Sequence, residues 1–218
     1  MEVVIVAITY MKNGFCFAGI SKDGNWVRPV LPNKGQWKSL YYENGRPICI
    51  GDVIEVNGRG RPYPPHTEDV EVKRFCKIRK MEHNELISFL TDNAENEPDL
   101  RNTLERNNRS LCIVNAQSFR KVYVDKYDKK KTRVSFVFNN KEYENTTLKK
   151  GFPCTCLHWR TIQSQALEYP KKFKKIFISI GLARGFTGDD GVWVHPAPMI
   201  ISIITDPPLP GGINYLNP

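Results

Sequence analysis

The two ends of this chain follow one plan, and that plan limits what it can fold into. Near the start, Val3–Thr9 and Phe15–Ile20 are β-branched or aromatic runs separated by Lys12-Asn13-Gly14. An Asn-Gly pair supplies the positive φ that a tight hairpin turn requires. Near the end, Ile176–Gly181, a glycine-rich turn through Gly185–Gly191 and Trp193–Thr205 repeat strand, turn and strand. Both ends therefore read as β hairpins.

Between them the pattern stays strand-rich, with one helical interruption. Gly51–Val56 alternates as a half-buried strand does, after a Gly/Pro-rich loop over Leu31–Pro47. Gly58–His66, dense in glycine and proline, reads as a loop, and Asp69–Met81 as another strand. His83–Asn93 places Leu86, Ile87, Phe89 and Leu90 at helical spacing; Pro98–Asn107 opens with a proline suited to a first helical turn and carries Leu100 and Leu104. Strand character returns at Ser110–Ile113, Phe119–Val124, Arg133–Phe138 and Lys141–Thr147, the last two joined by Asn139-Asn140. The expected layout is a strand-rich half over 1–81, a helical insertion over 82–108 and a second strand-rich half over 109–218, packed as one compact unit.

Composition sets the outer bounds. The 218 residues are 40% apolar, enough for a buried core. The longest apolar run, around Ile200–Ile204, is far short of the ~20 residues of a membrane helix, so no membrane partner is expected. Six cysteines without a regular disulfide spacing point to reduced thiols and a cytoplasmic protein. The net charge is +9, and between Lys149 and Arg184 eight basic residues face one acid, Glu168. Such a segment is either a polyanion contact or a solvated face.

Several motifs carry a family resemblance. Asn25-Trp26-Val27-Arg28-Pro29 follows Ala18-Gly19 on the returning strand, and Phe136, Phe138 and Tyr143 occupy the middle hairpin. Ser179-Ile180-Gly181, Phe186, Gly188 and the closing run Met199–Ile204 come in order toward the end. Together these resemble the dual-OB family over nearly the full length. The resemblance implies a mainly β fold of two small OB-like β-barrels with a short helical insertion. It also implies a nucleic-acid-binding module acting with a partner effector in a prokaryotic defence or nucleic-acid-processing system. Two stretches depart from the family pattern: Phe152–Arg160, where a Thr-Asp-Pro-like turn is usual, and the basic run Lys171–Lys175.

Catalytic chemistry finds little footing. Cys154, Cys156 and His158 would share one face if extended, but the two thiols are closer in sequence than a zinc knuckle uses, and buried strand cysteines are the reading adopted. His66-Thr67-Glu68 with Pro153–Cys156 echoes a zinc deaminase but fails on spacing. Asp189-Asp190 has the composition of an ordinary turn. No catalytic residue, metal or cofactor is expected.

Binding chemistry fits better. OB-type surfaces stack bases on aromatic rings while cations follow the phosphates. The residues with that chemistry are Trp37, Arg59, Arg61, Tyr63, Tyr127, Trp159, Arg160, Lys171, Lys172, Lys174 and Lys175, with single-stranded DNA or RNA as the partner. For Trp37, Tyr63, Tyr127 and Trp159, exposure and core packing both remain open, whereas Trp26 and Phe138 read as core. A protein-interaction adaptor is the second function class and a metal-dependent nuclease-type enzyme the third.

Overall fold

The N-terminal apolar run is buried on both sides: Val3, Ile5 and Ile8 enter one core cluster, while Val4, Val6 and Ala7 join others. The computed structural model, which describes residues 1–11, 14–32, 37–124, 132–145, 151–162, 173–187, 193–194 and 197–209, shows how. Tyr127, Lys171, Lys172, Gly188 and Asp189-Asp190 lie outside the described residues.

Strands β1 (Glu2–Met11), β2 (Gly14–Ser21), β3 (Trp26–Val30), β4 (Asp52–Gly60) and β5 (Asp69–Lys80) close into a barrel in the order β1-β2-β3-β5-β4. The parallel contact of β3 with β5, from Arg28↔Asp69 to Val30↔Glu71, completes the ring. Its interior holds Val3, Ile5, Ile8, Phe17, Val27, Ile54, Val56 and Val72, the β-branched and aromatic side chains that suit a pleated, closed surface. Gly19 sits where the backbones come closest, since a Cβ there would lie 2.3 Å from the Val4 carbonyl oxygen. The loop expected over Gly58–His66 begins later than the composition implies. Arg59 and Gly60 still pair with Glu71 and Val70, so β4 runs on through both glycines.

The second half contains β6 (Leu111–Ala116), β7 (Ser118–Val124), β8 (Thr132–Phe138), β9 (Lys141–Tyr143), β10 (Phe152–Cys154), β11 (Lys175–Leu182) and β14 (Pro198–Asp206). They form one sheet of order β6-β11-β14-β10-β8-β7, with β9 on β8; β12 (Phe186–Thr187) and β13 (Trp193–Val194) make a separate ribbon. Asn139 and Asn140 adopt φ of 49° and 60°, the left-handed pair a two-residue hairpin needs. Strands β6 and β7 end the path on opposite sides yet follow one another in the chain, and Gln117 between them donates its N–H to the Val137 carbonyl at 2.8 Å. The sheet thus curls around Val114, Phe136, Phe152, Ile178, Ile180, Ile200 and Ile203. The protein is mainly β, a closed five-stranded barrel beside a second sheet, as OB-like barrels require.

The two sheets meet by their outer faces. Val4, Val6 and Ile20 pack with Ile113, Phe177 and Ile204, and Ala7 and Ala18 with Leu111 and Ile201. A β-bulge between Ile5 and Ala7 lets Val6 and Ala7 both face this seam. The helices take separate places. Helix α1 (His83–Asp92) lays Leu86, Ile87 and Leu90 into the seam, whereas α2 (Glu97–Leu104), opened by an Asn96/Asp99 capping box, sends Leu100 into the second core. In the short α3 (Leu157–Thr161), Leu157 enters the barrel core while Trp159 stays in the second core.

At one edge of the seam lies a buried ionic cluster. The Arg28 Nε donates to Asp69 Oδ1 at 2.6 Å, Arg184 Nη2 to Asp69 Oδ2 at 2.6 Å, and Arg28 Nη1 to Ser110 Oγ at 3.4 Å. Ser110 Oγ also donates to the Glu68 carboxylate, which forms an ion pair with Arg28. Removing one partner of such a cluster leaves buried charge unmatched, so Arg28→Ala is expected to lower stability by about 3–5 kcal/mol. Leu157→Ala, which empties the plug between the cores, is expected to cost about 2–5 kcal/mol. Urea unfolding followed by tryptophan fluorescence checks both, with a single transition expected if the halves unfold together; two transitions would show them to be independent.

Candidate nucleic-acid interface

A five-stranded barrel of this type ordinarily presents the outer face of its second and third strands to a ligand. Here that face is spent. Ala18 and Ile20 on β2 lie in the seam. On β3, Trp26 donates its indole N–H to Glu95 Oε2 at 3.1 Å, and Arg28 enters the ionic cluster. Glu95 also accepts from the Ile113 backbone N–H at 2.8 Å and from Arg109. The Trp-Val-Arg-Pro motif therefore fastens the halves together.

The barrel surface left open is the outer side of β4 and β5 with the loop that follows β3. Asn57 pairs with Arg74 and Gly58 with Val72, so Lys73 has no residue opposite it. This bulge turns Val72 and Phe75 toward the core and leaves Lys73 and Arg74, adjacent in sequence, both exposed. Beside them runs a groove of about 510 Å³ lined by Trp37, Lys38, Tyr41, Lys73, Arg74 and Phe75, among others. Trp37 is half-buried: its indole N–H donates to the Pro29 carbonyl at 3.0 Å, and its ring meets Phe17 and Phe75 at 5.3 and 5.2 Å. Tyr41 is 42% exposed.

The loop carrying Tyr41 is anchored from below. Tyr42 points inward and its hydroxyl donates to Asp52 Oδ2 at 2.8 Å; the fully buried Asp52 also accepts from the Cys49 N–H at 2.9 Å and pairs with Lys77 at 2.7 Å. Burial first, and then the Asp52 carboxylate, push the Tyr42 phenol well above its usual range, so it remains a proton donor. Glu43 is the one acid lining the groove among the described residues. Among the described residues, Arg59, Lys73 and Arg74 form no ion pair, while Arg61 pairs with Glu71 at 2.7 Å.

The residues singled out by sequence are scattered. Trp37 lines the groove, and Arg59, Arg61 and Tyr63 lie on the neighbouring end of β4 and the turn beyond it. Trp159 does not reach the surface. It is 2% exposed and lies 5.5 Å from the Phe119 ring, because α3 starts at Leu157 and turns the indole into the core; it cannot stack on a base. Arg160 lies over the Tyr10 ring at 5.3 Å, and Lys175 donates to Thr91 Oγ1 at 2.7 Å, while Lys174 is exposed. Arg184, counted in the same basic stretch, is held by Asp69. Tyr41, Lys73 and Arg74 escaped the sequence reading, although β5 carries a legible signal in Lys73-Arg74 and Lys77-Ile78-Arg79-Lys80.

Cys154, Cys156 and His158 do not share a face, because the helical turn at Leu157 breaks the alternation. Both thiols are buried, and burial pushes them above the usual thiol range. No group of three metal-ligating side chains exists among the described residues. Glu68, from the deaminase-like echo, belongs to the ionic cluster. Cys76 is the exposed thiol of the six. Brief alkylation of the folded protein, read by peptide mass spectrometry, is expected to label Cys76 and to spare Cys112, Cys154 and Cys156 until denaturant is added.

The family described as dual OB-containing domain matches residues 1–195. No curated protein matches the chain. Among solved structures, the Ifi202 HINa domain in complex with 20bp dsDNA is similar over 94% of each chain, at 10% identity and a TM-score of 0.35.

Proposed function

The chain belongs to the dual OB-containing domain family, and from that premise we propose that it is a nucleic-acid-binding module holding a single strand of DNA or RNA in the groove beside β5. The observation that carries this reading is one juxtaposition. The exposed ring of Tyr41 and the half-buried ring of Trp37 share an open groove with Lys73 and Arg74, two cations that no carboxylate of the described residues neutralises. Rings offer a stacking platform worth about 1–3 kcal/mol per base, and cations at its side take the phosphates. The halves over 1–81 and 109–218, with the insertion 82–108, act as one unit, and the second half serves to hold the barrel open on this flank alone. Such a module works beside an effector protein in a prokaryotic defence or nucleic-acid-processing system, as the family resemblance supports. Six unpaired cysteines support a reducing, cytoplasmic setting.

Fluorescence anisotropy with single-stranded DNA and RNA across a salt series tests the groove. Replacing Lys73 and Arg74 together by alanine is expected to weaken binding and to flatten the log–log salt slope by about 1.4, since each phosphate contact on a single strand contributes about 0.7. Lys174→Ala is the comparator. A slope that falls with Lys174→Ala and not with the double variant would move the contact to the basic segment, and an absence of salt-dependent binding would favour the adaptor.

A further inference from the structure

We infer that the bound strand leaves the groove across the outer face of β4 and β5 and ends on Tyr63, instead of lying on the β2–β3 face that a lone barrel of this type uses. This rests on the groove reading above. The β2–β3 face is closed by the chain's own second half through Trp26, Arg28 and the seam. What the groove opens onto is the β4–β5 pair. Asn57 lies opposite Arg74 and Arg59 opposite Glu71, so from the bulge at Lys73 and Arg74 the cations continue to the exposed Arg59 and the half-buried Arg61. Glu71 stands among these four and is paired with Arg61, and Glu43 lines the groove beside Lys73 and Arg74.

The path has a fixed end. Arg61 donates its backbone N–H to the Asp69 carbonyl at 2.8 Å, and the following turn is closed by the Tyr63 N–H to the His66 carbonyl at 3.3 Å and the His66 N–H to the Tyr63 carbonyl at 2.6 Å. Thr67 Oγ1 ties the turn to the Asn108 carbonyl at 2.9 Å. On this braced turn Tyr63 is 62% exposed, more than any other large apolar or aromatic side chain among the described residues. Asn57 and Tyr63 are six positions apart, up to about 20 Å of extended chain. That length matches about six nucleotides at the ~3.4 Å spacing of a stacked strand. The site is thus a two-ring track, Tyr41 at one end and Tyr63 at the other, with cations between. Two stacked bases need free faces, so the ligand is a single strand.

The experiment is a length series of end-labelled oligo-dT and oligo-rU, from dinucleotide to dodecamer, titrated against the parent protein, Tyr63→Ala and Tyr41→Ala by anisotropy, with a blunt duplex dodecamer alongside. The parent is expected to gain affinity in a second step near the length that spans both rings. Tyr63→Ala is expected to remove that step, weakening the dodecamer about fivefold or more for the loss of one stack and leaving the shortest oligonucleotides bound as by the parent. Tyr41→Ala is expected to weaken every length. Loss of affinity for short and long strands alike on Tyr63→Ala, or an unchanged dodecamer, would overturn the track while leaving the groove standing, whereas a duplex bound as tightly as the single strand would overturn both. Failure of the parent to bind any oligonucleotide would overturn the groove reading, and the track with it.

Discussion

Burial of the outer face of β1, β2 and β3 against the second sheet is the interaction on which the rest of this structure depends. Contact between Val4, Val6, Ala18 and Ile20 on one side and Ile113, Phe177, Ile201 and Ile204 on the other is non-directional, and by itself would tolerate sliding. Direction comes from the polar groups at its margin. Arg28 and Arg184 divide the two oxygens of Asp69, and Glu95 gathers Trp26, Arg109 and the Ile113 N–H. Buried pairs of this kind contribute little net stability, but a shifted register would strand charges in an apolar seam, which is their value here.

That seam also decides where a ligand has room. With the β2–β3 face closed, the exposed ring of Tyr41 and the cations Lys73 and Arg74, unmatched among the described residues, lie on the flank of β4, β5 and the loop after β3. The buried Asp52 gives this flank its shape, because accepting from Tyr42 and the Cys49 N–H while pairing with Lys77 fixes the loop from inside and turns Tyr41 outward. A groove held in this way loses less freedom when a ligand orders it, which favours affinity without added contact area.

Local features were legible because their causes are local. The Asn139-Asn140 turn follows from the left-handed conformation that asparagine tolerates, and both helices follow from apolar spacing and, in α2, from a capping residue and an early proline. Misreadings arose where a tertiary partner overrides composition. Gly58 and Gly60 look like loop residues, yet pairing with β5 keeps them in a strand. Trp159 beside Arg160 looks like a binding pair, yet one helical turn carries the indole into the core and lays the guanidinium over Tyr10. Strict alternation would send one of Lys73 and Arg74 inward; only the bulge explains why both face solvent.

The sequence by itself determined the strands, their turns, the helical insertion, the excess of positive charge and a Trp-x-Arg motif that marks the family. Side-chain chemistry and backbone preference act over a few residues, so these are written in neighbouring letters. Only the tertiary structure decided which strand faces are covered, that the motif arginine joins the two halves, and that the open groove lies along β5. Those outcomes depend on partners remote in the chain, such as Arg184 and Asp69, 115 residues apart, and a buried charge finds its match only when the fold brings the two together.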